Sequence, residues 1–250
     1  MTNGIILHTR GETLLMTRVF ALAAIATFAG FSAHAGSLTL FASGEDLATE
    51  GFNAPKLTKD GWALEFTRIT ATLNQITAWQ TDPPFMADGP EITGTALPFD
   101  GPFTVDLVDA DEDDLVELAT IAAPAGHFNA LSWALVPGDD GFSLVFAGIA
   151  RKDGQEVSFT LRSADSVAHA CGEYLGDARK GFVTENAAAD LEITLHLDHL
   201  FGRADKAEDD EMNVEAIGFA PFAAGGEFEL SLEGLHLGHV GEGHCYVSAL

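Results

Sequence analysis

Short runs in which apolar and polar residues alternate, Gly, Pro or Asp at nearly every break, and hardly any helical period predict an all-β protein. The expected architecture is an antiparallel two-layer sandwich, immunoglobulin-like or Greek key, with long loops and little helix. Ten strands are legible: Ser37 to Ser43, Ala63 to Thr70, Thr72 to Gln80, Phe103 to Val108, Leu115 to Ile121, Phe128 to Val136, Phe142 to Arg151, Glu156 to Arg162, Asp190 to His199 and Phe228 to Leu235.

The hairpin between Phe142 to Arg151 and Glu156 to Arg162 is the clearest element, because Asp153-Gly154 between two alternating runs is the signature of a tight turn. Helix is expected only as a turn or two near Phe219 to Ala224 and at Val167 to Leu175. The proline-bearing stretch Asp82 to Pro102, with Pro83, Pro84, Pro90, Pro98 and Pro102, reads as a surface loop. With no repeat and no flexible linker, residues 36–250 are expected to form a single β-sandwich domain.

The segment before it has another logic. From Met16 to Ala35 a single positive charge at Arg18 precedes an apolar run from Val19 to Phe31, and small residues stand at Ala33 and Ala35. That is the pattern of a cleavable signal peptide over residues 1–35, with Met16 as an alternative start. The run is shorter than the ~20 apolar residues that span a bilayer. A periplasmic or secreted product without membrane insertion after cleavage is therefore expected.

A formal charge of −26 on 250 residues repels phosphate backbones and anionic lipid while it attracts cations, so nucleic acid is excluded as a partner class. The two cysteines, Cys171 and Cys245, are expected to form a disulfide in an oxidising compartment. The other reading makes Cys245, beside His244, a metal-binding thiolate.

Seven of the nine histidines lie beyond Ala35, and they bunch. His196-x-Asp198-His199 forms one group and His236-x-x-His239 another, with His244 close behind. Neutral imidazole is the commonest ligand for zinc and copper, and carboxylate completes such sites. If Asp190 to His199 is one strand, Leu191, Ile193, Leu195 and Leu197 share a face, and His196 and Asp198 point together from the other. Gly234, Gly238, Gly241 and Gly243 make the second group pliable, and a disulfide at Cys245 would pin it. The metal ligands expected are therefore His196, Asp198, His199, His236, His239 and His244. Two acidic stretches, Asp109 to Asp114 and Asp205 to Asn213, offer oxygen ligands for calcium, and the second can instead lend a carboxylate to the histidines.

No nucleophile elbow, phosphate loop, His-Glu-x-x-His or Cys-x-x-Cys is present, so no enzyme is expected. The stretch Pro124-Ala125-Gly126-His127-Phe128-Asn129-Ala130-Leu131, the Leu191 to Leu200 strand and Ile217-Gly218-Phe219 resemble the partner proteins of methanobactin operons, periplasmic β-sandwich proteins of copper handling. That family's further cysteines and Trp-rich stretch are missing here. The resemblance implies a class, periplasmic metal handling, and no individual ligand. The expected function is acquisition, delivery or buffering of zinc or copper, with a metal transporter or chaperone as partner. The alternative is a calcium-stabilised secreted sandwich that binds a polymer or a surface partner.

Overall fold

A computed structural model describes Met1 and residues 35–172, 181–240 and 243–250; the expected signal peptide, apart from its two end residues, lies outside them. In chain order the elements are β1 (Gly36–Ser43), α1 (Glu45–Thr49), β2 (Ala63–Gln80), β3 (Thr95–Pro98), β4 (Phe103–Asp106), β5 (Val116–Ala123), β6 (Gly126–His127), β7 (Ala130–Leu135) and β8 (Leu144–Lys152). They continue with β9 (Gln155–Ser163), β10 (Val167–Gly172), β11 (Phe182–Val183), β12 (Ala188–Leu195), α2 (Leu197–Phe201), α3 (Glu211–Glu215), β13 (Gly226–Glu229), β14 (Gly238–His239) and β15 (His244–Ala249).

The protein is an all-β sandwich. One sheet has the order β14-β12-β1-β5, and a nine-stranded sheet runs β13-β9-β8-β2-β7-β10-β15 with β3 and β4 also on β2. A single apolar cluster joins Leu38, Leu40, Leu191 and Ile193 of the first sheet to Phe66, Trp133 and Phe146 of the second, with Phe201 among them. The expected hairpin is β8–β9, and both turn residues, Asp153 and Gly154, take the positive φ that a type I′ turn demands.

Several expectations need correction, among them the loop from Asp82 to Pro102, whose residues Thr95–Pro98 form β3 on β2. The runs Ala63 to Thr70 and Thr72 to Gln80 are one strand, β2, with irregular register between Phe66 and Arg68 and between Asn74 and Thr77. Each irregularity flips which residues face inward, so the buried set runs Leu64, Phe66, then Ile69, Ala71, Leu73, then Ile76, Ala78. Phe103 to Val108 ends early because the Asp106 side chain accepts the Val108 N–H and starts a 3₁₀ turn at Leu107–Asp109. Val167 onward is the strand β10 rather than helix, held between β7 and β15. Its continuation at 173–175 lies outside the described residues. Phe228 to Leu235 is strand only to Glu229; beyond it Asp165 takes the Leu232 N–H, and Leu230 and Leu232 are buried without pairing as strand.

Pairing is not uniformly antiparallel either. β1 lies parallel to β12, and β13 parallel to β9. Long connections make this feasible, since parallel neighbours need a crossover rather than a hairpin. Cys171 and Cys245 are disulfide-bonded, directly opposite each other on β10 and β15, with Cα atoms 4.0 Å apart. No helix among the described residues is long and apolar enough to cross a membrane.

Candidate metal centre

The strand expected from Asp190 to His199 stops at Leu195. The next apolar residues, Leu197, Leu200 and Phe201, stand at helical spacing, all are buried, and they form α2. His196 sits at the N-terminal boundary of α2, with its N–H on the Leu237 carbonyl, and His199 lies one turn in. The alternation that would make His196 and Asp198 point together therefore fails. Asp198 is buried on α2 with one oxygen 4.0 Å from the Arg203 guanidinium.

β14 returns antiparallel beside β12 and pairs His239 with Thr194. That register brings three imidazoles together. The ring centroids are 5.2 Å apart for His196 and His199, 4.7 Å for His196 and His239, and 5.1 Å for His199 and His239. A fourth group, Glu45, was not visible in the sequence. Parallel pairing sets Ser43 level with Thr194, so two residues on, Glu45 stands level with His196. Its Oε2 is 3.3 Å from His196 Nδ1, and its φ of 54° is a strained value for a non-glycine residue.

The proton positions follow. The His236 carbonyl can only accept, so His199 Nδ1 donates to it at 2.8 Å, and Nε2 is the ring nitrogen left for a ligand. The hydrogen bond from His196 holds the Glu45 carboxyl below its usual range despite burial, so this oxygen too accepts from Nδ1. Burial works against a charged His196, but the Glu45 hydrogen bond and charge outweigh it and raise its pKa. Burial, aided by the charges of His196 and His199, pushes His239 down to about 4. Imidazoles oriented by a carboxylate and by a main-chain carbonyl have the outer-shell support usual at metal sites.

Beside the cluster opens a cleft of about 400 Å³ lined by His199, His236, His239 and His244 and by Asp210, Glu211 and Glu215. The side chains of His236 and His244 are exposed, and His236 serves the cluster through its main chain. Below it, Gly238 lies against a buried stack of Trp133 and His169, whose rings are 3.8 Å apart and 2° from parallel. A Cβ at Gly238 would run into the Trp133 ring, which accounts for glycine beside His239.

The acidic stretches have structural duties. Asp111 Oδ1 accepts from the N–H groups of Asp113 and Leu115, Arg203 pairs with Asp205, and Asp210 caps α3. Among the described residues no group of three or more His, Cys, Asp or Glu is arranged to hold a metal ion. No protein-family model matches this chain, no curated protein is recognisably similar to it, and no solved structure matches its fold.

Proposed function

We propose that this chain is an exported, non-catalytic binding protein for a transition metal, zinc or copper, held by His196, His199 and His239. The spacing of the three rings carries the reading: a tetrahedral ion with bonds of about 2.1 Å to three imidazoles sets their ring centroids roughly 5 Å apart, and the rings here are 4.7 to 5.2 Å apart. Clustering imidazoles contributes little to folding, since any two that are protonated repel. His239 stands edge-on to the other two rings, at 79° and 88°. Glu45 and the His236 carbonyl act as orienting groups. The acidic cleft concentrates cations at its mouth.

Protein purified without chelators or a histidine tag is expected to retain close to one equivalent of zinc or copper. His239→Ala should weaken zinc binding roughly a hundredfold, about the share of one ligand in a four-ligand site. Affinity unchanged by alanine at His196, His199 and His239 in turn would reject the site.

A second expectation concerns Glu45→Gln. Loss of the carboxylate should weaken zinc binding at neutral pH by about tenfold, the lower end for an outer-shell partner. It should also return the His196 pKa toward the ordinary histidine range, because the group that raises it is gone. Protons compete for the His196 nitrogen below that pKa, so the decline in affinity on acidification should begin at lower pH in the variant. Parallel zinc titrations across pH 5 to 8 check this, and coincident curves would remove Glu45 from the site.

A further inference from the structure

β15 is the last strand of the nine-stranded sheet and, among the described residues, pairs with β10 alone. The register shows which of its backbone groups are free. Leu250 donates to the Ser166 carbonyl at 3.0 Å, and Val167 stands opposite Ala249. Hydrogen-bonded pairs recur every second residue in an antiparallel ladder, so Ser248, Tyr246 and His244 bond to β10. The N–H and C=O groups of Cys245, Val247 and Ala249 point away from the sheet.

Edges of this kind are normally guarded by Lys, Pro, inward charges or a bulge. β15 reads His-Cys-Tyr-Val-Ser-Ala, has none of these, and pairs with β10 in unbroken register. Beside it runs a groove of about 430 Å³ between Val247–Leu250 and the segment Ser231–His236. The groove shares Gly234, Leu235 and His236 with the histidine cleft. No Lys or Arg lines either cavity, while Glu233 and, further along, Asp210, Glu211 and Glu215 do.

We propose that the free edge of β15 docks an extended, lysine- or arginine-rich segment of a partner protein, which joins the sheet as an added strand. Main-chain hydrogen bonds to Cys245, Val247 and Ala249 supply affinity, and the carboxylates select a basic sequence. A second copy of this chain is the poorer occupant, since each copy has a net charge of −26. The inference does not depend on the metal reading.

The probe is a fluorescent peptide of alternating lysine and valine, about as long as β15, titrated by anisotropy at low salt. It should bind, and the same peptide N-methylated at alternate residues, which cannot donate to the edge, should bind roughly tenfold more weakly or worse. A glutamate–valine peptide should not bind. Val247→Pro removes an outward N–H while leaving the β10 ladder intact, and should weaken the basic peptide to a similar degree. No binding of the basic peptide, or equal affinity for the methylated or the acidic one, would overturn the proposal. So would a dimer of the protein alone that Val247→Pro dissolves, since the edge would then serve self-association.

Discussion

Acidification from pH 7 to pH 4 is expected to destabilise the protein by roughly 3 kcal/mol through His169 alone, rising to about 4 kcal/mol at pH 3. His169 is 3% exposed and stacked on Trp133, and burial, with the charges of His239 and His236 adding to it, pushes its pKa down to about 3. In the unfolded chain an ordinary imidazole takes its proton near pH 6.5. Between those values the unfolded state holds a proton that the folded state refuses, so stability falls as pH falls. Above pH 6.5 both states are neutral and His169 has no effect. His169→Phe keeps an aromatic ring on Trp133 and removes the titration. Urea unfolding of both proteins at pH 7 and pH 4 should therefore show a drop about 3 kcal/mol smaller in the variant, whatever its stability at pH 7. Equal drops would mean that His169 takes its proton in the folded protein as freely as in solution. Because Gly238 rests on this stack, protonation of His169 would also loosen the strand that presents His239.

How much of this was legible in the sequence depends on the range of the interaction. Alternation located most strands, and the Asp153-Gly154 turn fixed its hairpin, because both are set within a few residues. The same rule extended the His196 strand too far. Leu195 and Leu197 satisfy a period of two, but Leu197, Leu200 and Phe201 satisfy the helical one, and burial of the latter set decides in favour of α2. His196, His199 and His239 were named because histidines in tight groups stand out against an acidic background. What joins them is the pairing of Thr194 with His239, brought about by β14, two residues long and without a signal of its own. The legible run before it, Phe228 to Leu235, gives no hint of that pairing, for its first residues lie on β9 in the other sheet. Glu45 was invisible for a related reason. Its place depends on the parallel pairing of β1 with β12, which begin over 150 residues apart, and no local pattern reports a partner at that distance. The two acidic stretches show the converse: charge clusters that suggest ligands can be absorbed by caps, turns and a neighbouring arginine.

Removal of the Cys171–Cys245 bond is expected to lower the unfolding free energy by about 4.5 kcal/mol, the chain-entropy value for a link closing a sequence separation of 74. The suitable variant is Cys171→Ala with Cys245→Ser, since Cys171 is fully buried, where an unpartnered hydroxyl would add its own cost, and Cys245 is not. The sandwich should still form. Its core is the apolar cluster of both sheets, and β10 keeps β7 as a neighbour. Among the described residues β15 has no such second neighbour, so the bond and the β10 ladder are what fix it. Loosening would reach the histidine cluster through the bridge between Val240 and Gly243, which links the residue after His239 to the residue before β15. Zinc affinity in the variant should therefore fall several-fold without loss of a ligand, as pre-organisation of His239 is given up. Urea unfolding and zinc titration of the same preparation separate the two effects. A variant that loses stability but binds zinc as tightly as the wild type would show that β14 holds His239 without help from β15, and one unchanged in both would leave the disulfide without a part in either.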